Sequence, residues 1–368
     1  MQKRIVCHIT SAHSALDSRI FYREARSLIK AGYSVSVIGL HSKQEVIDGV
    51  EIIPLKISTN RAFRMLFKPL HIFYCTLKTG ASVVHFHDPE LIPVGILLRI
   101  CRRKVIYDAH EDYPQLIRVK EWIATPLKVG ISRATAMFER VASQFFNLTI
   151  APSEPLSKRL PKGITLYNFP TLEVLEQLNN HSRIYEERDI DLIHVGILRK
   201  SRIDFFLKVL KIINVWNTKL KTVFVGLSNE QIKYIKNNLD DSNNISLISK
   251  VPFSEVLKFL GRSKIGLNYH PLEPHLKYAV PVKIFEYLGA GCVVVAAKFP
   301  FLKQLMGEES PVIFVNHNPE EFADKILELV ESNNEMKRIS EISKNYSLSF
   351  SWDKHEEYKL IGAYEKLL

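Results

Sequence analysis

Lys283 and Glu286 lie three residues apart in the stretch VPVKIFEYLGAGCVVVAA, residues 280–297. Pro281 can open a helix, because proline costs little at the first helical position. Residues 282–289 continue that helix, and Gly289 and Gly291 end it. The spacing puts Lys283 and Glu286 on one face. At the start of such a helix the first amides are free, and the dipole supplies roughly half a positive charge. A cation beside those amides, with a carboxylate one turn deeper, could hold a nucleoside diphosphate: Lys283 on phosphate, Glu286 on ribose hydroxyls. The same spacing also fits an exposed ion pair worth roughly 0.2–0.5 kcal/mol, and spacing alone does not separate the two.

Two further groups carry reactive side chains. HFHDPEL follows an apolar run and brings His85, His87 and Asp88 together; AHEDYP follows KVIYD with His110, Glu111 and Asp112. Both sit where a strand hands over to a loop, at the carboxyl end where open α/β sheets bind ligands. A hydrogen-bonded loop histidine would explain either motif alone. Two such loops after neighbouring strands favour a site. His85 and His87 alternate on one strand face, but no further metal ligands are arranged with them, so no metal site is expected. In the second half, Arg199, Lys200 and Arg202 precede or open an amphipathic helix, where a phosphate could sit.

These groups require strands that end beside helices, and the chain alternates accordingly. Strands are expected at 3–10, 34–40, 50–55, 82–86, 104–108 and 148–151, and again at 191–196, 220–226, 245–249, 264–269, 292–297 and 312–315. Helical patterns lie between most of them. This is an α/β chain with parallel sheets. The first β-loop-α-β turn lacks G-x-G-x-x-G, which disfavours a dinucleotide dehydrogenase. Residues 171–190 are polar without a strand pattern and are expected to link an N-terminal domain, 1–170, to a second domain, 191–350. A final helix occupies 351–368.

With 368 residues, 46% of them hydrophobic, the chain suits two cores rather than one. Cys7, Cys75, Cys101 and Cys292 show no paired spacing, which suits a reducing cytoplasm. The opening MQKRIVCHIT enters a strand at once, with no apolar signal region. The charge is uneven: residues 1–170 hold 24 Lys/Arg and 13 Asp/Glu, net +11, whereas residues 171–368 hold 26 of each. The basic half is expected to face an anionic partner. Residues 61–79 mix Arg61, Arg64, Lys68 and Lys78 with aromatic and aliphatic side chains, as a helix lying in a membrane interface would. Further basic patches run through Arg102, Arg103 and Lys104, and through Arg118, Lys120, Lys128 and Arg133. No nucleic-acid-binding motif accompanies the charge, so nucleic acid is not expected as a partner.

The stretch PVKIFEYLGAGCVVVA resembles the donor-nucleotide helix of retaining glycosyltransferases of family 4. The resemblance covers nearly the whole chain and implies the GT-B architecture: two Rossmann-like domains facing a cleft, with the C-terminal helix crossing back to the first. By the same resemblance Glu286 binds the donor ribose, Arg202 binds the diphosphate with Arg199 as a substitute, and His110 reaches the donor sugar and the reaction centre. The opening loop, with His13, Asp17 and Arg19, looks like that of bacterial members that build surface polysaccharides. Four family features differ, one being the absence of the common Gly-Gly pair from the opening loop. Tyr278 stands where a second glutamate is usual, Ile203 replaces a glycine, and Ile197 replaces an arginine.

The expected function is therefore transfer of a sugar from a nucleoside-diphosphate sugar, UDP favoured, to a hydroxyl of a glycan or polyprenyl-diphosphate-linked acceptor. Retention follows from the resemblance alone. No cofactor or metal is expected. His110 and Glu286 are the expected catalytic residues, and His13, Asp17, Arg19, His87, Asp88, Glu111 and Asp112 the candidates for the cleft and acceptor. The protein is expected in the cytoplasm, peripheral on the inner face of the plasma membrane. A sugar-nucleotide 2-epimerase, or a non-catalytic scaffold of the same fold, are the alternatives.

Overall fold

The computed structural model describes residues 4–55, 61–216, 220–239 and 244–368, and of residues 61–67 the backbone alone. The chain divides into two units. The first takes Met1–Asn168, Tyr278–Val280 and Trp352–Leu368; the second takes Phe169–Lys277 and Pro281–Ser351.

The first unit is built on one sheet of eight strands: β1 (Ile5–Ser14), β2 (Ser34–Leu40), β3 (Glu45–Ile47), β4 (Val50–Leu55), β5 (Val83–Phe86), β6 (Lys104–Asp108), β7 (Leu148–Ala151) and β8 (Gly163–Thr165). Their order is β3-β4-β2-β1-β5-β6-β7-β8. Only β3 runs antiparallel, against β4. Apolar layers cover both faces, as a parallel sheet requires. Cys7, Ile9, Phe86 and Tyr107 face one layer; Val6, Val83 and Ile106 face the other. The closing helices, Trp352–His355 and Glu357–Leu367, belong to the second of these layers. Trp352, Leu360 and Tyr364 are buried there, and the Trp352 indole donates to Ser27 Oγ at 3.0 Å.

The second unit carries β9 (Ile190–Val195), β10 (Thr222–Leu227), β11 (Ile245–Ser249), β12 (Ser263–Asn268), β13 (Val293–Ala297) and β14 (Ile313–Val315). The order β11-β10-β9-β12-β13-β14 is parallel throughout. The fully buried run Val293–Ala297 is a central strand of this sheet.

One expectation is corrected. Residues 171–190 are not a free link. Thr171 caps a helix at Leu172–His181 through Val174 N, and Leu175 and Leu178 are buried in the second unit, because two leucines three residues apart make an apolar stripe. The helix after the first loop opens as a wide π-type turn at Ile20–Ala25, with Glu24 N bonded to Arg19 O at 3.0 Å, before becoming α-helical at Arg26–Lys30. The wider turn lets Arg19, Arg23 and Glu24 all point inward. The helix Arg61–Lys78 contains Pro69. The side chains of Arg61 and Arg64 lie outside the described residues. Among the rest of that helix, Lys68 is buried and donates to Ser11 O, and Ile72 is in the core.

Candidate active site

Strand register brings the reactive side chains of the first unit together. His8 in β1 is paired with His85 in β5, so both point to one face. Two residues further, His87 keeps that face, and Asp108 at the end of β6 joins it, because Phe86 pairs with Tyr107. His8 Nδ1 lies 3.0 Å from His87 Nε2, and His87 Nδ1 lies 3.0 Å from His110 Nε2. Asp108 Oδ2 is 3.3 Å from His87 Nδ1 and 3.4 Å from His110 Nε2. His8, His85 and His87 are fully buried, and only His110, in the loop after β6, keeps partial exposure.

Arg19 does not face solvent. Its Nε donates to Asp108 Oδ2 at 2.7 Å and its Nη2 to Asp108 Oδ1 at 3.0 Å, while Nη1 donates to Leu166 O and Asn168 Oδ1. This two-point pairing holds the Asp108 carboxyl well below the usual carboxylate range, against the opposing effect of burial. Asp88 is also buried. It accepts from Thr10 Oγ1 at 2.7 Å and Ser11 N at 2.6 Å, and so ties the end of β1 to the loop after β5. Asp17 accepts from Arg19 N and Ile20 N, fixing the start of the π turn. Asp112 caps the helix Tyr113–Arg118 and pairs with Arg159 at 2.8 Å. Arg19, His87 and Asp88 are thus buried and hydrogen-bonded within the unit, and Asp17 and Asp112 accept bonds at a turn and a helix cap. His13 and Glu111 are the candidates that reach solvent beside His110; the His13 ring centroid is 5.0 Å from that of His110.

Sequence reasoning missed His8, Glu24 and Asp108. Glu24 is fully buried with its Oε1 3.1 Å from Arg19 Nε, and burial followed by the nearby Asp108 charge pushes its carboxyl well above the ordinary range, against the opposing effect of Arg19. His8, Glu24, His85 and His87 each offer an atom within 4.8 Å of the others, as do His87, Asp108 and His110, and either group could hold a metal ion. As arranged, His8 Nδ1 and His87 Nε2 are engaged with each other and His85 Nδ1 with the Tyr364 hydroxyl at 2.9 Å, so the groups already form a hydrogen-bonded network.

In the second unit the helix Val282–Gly289 starts after Pro281, with Lys283 in its first turn and Glu286 on the next. Lys283 lies across the end of β9. Gly196 has φ +105°, and a Cβ there would collide with Lys283 Nζ and Cε. Gly226, at φ +94°, brings its backbone against Gly196 at the end of β10. The two glycines leave the backbone bare beside the cation. Arg202 sits in the first turn of the helix Lys200–Val215; its Nε is buried with no hydrogen-bond partner. Neither Lys283 nor Arg202 forms an ion pair among the described residues. Burial lowers the Lys283 ammonium to about 8, only partly offset by Glu286. Burial, then Arg202 and Lys283, lower His270 to about 3, so this histidine is neutral. Arg199 is paired with Glu273 at 3.7 Å and is more exposed. Two half-buried cations in no ion pair among the described residues, beside bare backbone at the ends of parallel strands, can receive an anion.

Residues 18–166 match the model described as Glycosyltransferase Family 4, and residues 204–349 the model described as Glycosyl transferase-like. The chain is a glycosyltransferase whose first half matches family 4. This glycosyltransferase is 22% identical over 326 residues to the chitobiosyldiphosphodolichol beta-mannosyltransferase of Candida albicans, covering 77% of this chain and 70% of the relative. Among solved structures, it resembles the sucrose-phosphate synthase of Thermosynechococcus elongatus, with TM-score 0.73, 14% identity, and 99% of each chain covered. It also resembles a UDP-forming trehalose-phosphate synthase from Burkholderia xenovorans, with TM-score 0.69 and 10% identity, covering 100% of this chain and 99% of that one. These structural likenesses fix the fold as GT-B.

Proposed function

We propose that this glycosyltransferase moves a sugar from a UDP-sugar to a hydroxyl of a lipid-diphosphate-linked glycan in surface-polysaccharide synthesis. The observation that carries the donor half is the pair of cations Lys283 and Arg202, neither in an ion pair among the described residues, beside Gly196 and the amides of the helix after Pro281. A diphosphate supplies the charge these groups lack. As the glycosyl bond breaks, negative charge grows on the departing diphosphate, and fixed cations and helix amides aimed at it lower the barrier without reorganising. Glu286 accepts from the ribose hydroxyls, and Arg199 is a secondary phosphate contact. His110 serves the transferred sugar, with His13 and Glu111 nearest to it on the acceptor side.

The acceptor class is supported by the fungal relative, whose name specifies a diphosphodolichol-linked glycan. Uridine is supported by the UDP-forming synthase of the same fold. Retention rests on the resemblance of PVKIFEYLGAGCVVVA to retaining members; NMR coupling constants of the new anomeric centre test it. The reaction needs no metal on this reading, because Lys283, Arg202 and the helix dipole serve the diphosphate. The chain works at the inner face of the plasma membrane; no helix among the described residues is long and apolar enough to cross it.

Calorimetry with UDP, GDP, ADP, CMP and TDP on the wild type and on Glu286→Ala tests the donor site. Binding of UDP, weakened at least tenfold in the variant, is the expected result. Tighter binding of another base replaces uridine in the proposal, and no binding by any nucleotide overturns the donor site.

A further inference from the structure

The helix Thr125–Ser143 in the first unit is built inside out. Its inward face is polar: Ser132 Oγ donates to Pro114 O at 2.7 Å, and Glu139 accepts from the Tyr107 hydroxyl at 2.7 Å and from Arg159 at 3.2 Å. Ser132, Glu139, Ala142 and Ser143 are its buried residues. Its outward face is apolar. Leu127, Ile131, Ala134, Phe138, Val141 and Phe145 follow one another at alternating spacings of four and three, the pattern of a single helical stripe continued into the turn beyond. All six are exposed, Phe138 at 54% and Phe145 at 58%. Met137 beside the stripe is 71% exposed, and Trp122 in the preceding loop is 77% exposed. The stripe extends to Ile100, 72% exposed, because Arg99 Nε donates to Phe145 O at 2.9 Å. A helix normally turns such a stripe toward a core, and a large contiguous exposed patch marks a surface meant to be covered.

What covers it is indicated by charge. Arg133 and Arg140 repeat at seven-residue spacing along one flank of the stripe, both exposed. Arg102 stands exposed near Ile100, and Arg118 near Trp122. The helix's one acid, Glu139, is turned inward and already paired. Two copies of this face packed against each other would oppose arginine to arginine, whereas an anionic bilayer matches both the apolar stripe and its basic edge. Long apolar side chains, an arginine flank and an exposed tryptophan are the composition of a helix lying in a lipid headgroup region. We propose that this face of Thr125–Ser143 is the surface by which the enzyme docks on an anionic membrane. The inference deepens the lipid-acceptor reading above, and it moves the docking element away from Arg61–Lys78, whose Lys68 and Ile72 are committed to the interior.

The test is flotation of the full chain with vesicles of phosphatidylcholine alone and with 30% phosphatidylglycerol, about as anionic as a cytoplasmic leaflet. Wild type, Ile131→Glu/Phe138→Glu and Arg133→Glu/Arg140→Glu are compared. The expected result is binding of wild type to the anionic vesicles only, weakened at 0.5 M NaCl, and at least tenfold weaker for both double variants. Their melting temperatures and UDP affinity should stay at wild-type values, which separates loss of docking from misfolding and from failure of the donor-site reading. Equal flotation of wild type and both variants overturns the proposal, as does absence of wild-type binding at low salt. Sedimentation velocity distinguishes the other occupant: a wild-type dimer made monomeric by Ile131→Glu/Phe138→Glu, without vesicle binding, assigns the face to a second copy and also overturns it.

Discussion

His87 Nδ1 stands 3.0 Å from His110 Nε2, and the far side of His87 is in turn 3.0 Å from His8 Nδ1. The direction of this chain follows from its buried end. His8 Nε2 is buried without a partner, so a proton there would be an unsatisfied donor in an apolar layer. The lower-cost tautomer puts the proton on His8 Nδ1, donating to His87 Nε2. His87 then carries its proton on Nδ1, shared between His110 Nε2 and Asp108 Oδ2. The His110 ring is held from behind by His87 and Asp108. Burial holds His87 down to about 4, which keeps it a neutral link at physiological pH. His87→Asn should therefore lower kcat about 10- to 100-fold, the scale of losing the partner that orients a functional group. The KM for the donor should stay within about threefold of wild type, because the diphosphate is held elsewhere. Steady-state kinetics decide this; a change confined to KM would remove the orienting role.

Much of this architecture is legible in the sequence, and the losses have physical reasons. Strand alternation located most of both sheets, because fully buried parallel strands read as unbroken apolar runs such as Val293–Ala297. The two His/Asp loops and the Lys283/Glu286 spacing could be read because they sit where strands end. His8 could not, because a histidine inside the run IVCHIT looks like a strand-interior residue until its register with His85 is known. Asp108 closes KVIYD and reads as the polar end of a strand, not as the anchor of Arg19. Glu24 lies in a helix that looks amphipathic by sequence, and only the π-type turn directs it inward. The helix Thr125–Ser143 was legible as a helix but not as an inverted one, since periodicity shows two faces without saying which is buried.

Glu24 gives a stability test. Its carboxyl is pushed well above the usual range by burial and by Asp108. A raised acid pKa means that the folded state binds a proton the unfolded state releases, so this group's contribution is fully present below the unfolded value near 4.5. It is lost as pH rises from there through the folded value. Glu24→Gln, a neutral isostere, should therefore be at least as stable as wild type at pH 8 and gain less, relative to wild type, at pH 5. Glu24→Ala should be less stable at both, because it leaves a cavity. Urea denaturation at the two pH values reads the difference, and a glutamine variant destabilised equally at both would show that Glu24 is ionised in the fold.

The His8, Glu24, His85 and His87 group allows a direct check on metal independence. If the hydrogen bonds of His8 to His87 and of His85 to Tyr364 are the working state, dialysis against EDTA should leave the rate of sugar transfer and the melting temperature unchanged. Stoichiometric zinc in the purified protein, with activity lost on chelation and restored by zinc, would instead make those side chains ligands.

Lys283 links donor binding to pH and stability. Its ammonium is lowered from 10.5 to about 8, chiefly by burial. Between those values the unfolded chain binds a proton that the folded chain lacks, so stability falls as pH drops from about 10.5 to 8 and stays reduced below. Lys283→Met keeps the side-chain length and removes the charge. It should raise the melting temperature of the ligand-free protein by a few degrees at pH 7, on the scale of about 2–4 °C per kcal/mol for a chain of this size. The same variant should lose most of its nucleotide affinity, since the charge that destabilises the empty fold is the one that meets the diphosphate. In the wild type, UDP affinity should be flat below pH 7 and decline above about pH 8, as the free enzyme loses the proton that binding requires. In Lys283→Met that decline should disappear. Calorimetry from pH 6.5 to 9.5 measures both curves, and a wild-type affinity that does not change across this range would place the phosphate contact on Arg202 alone.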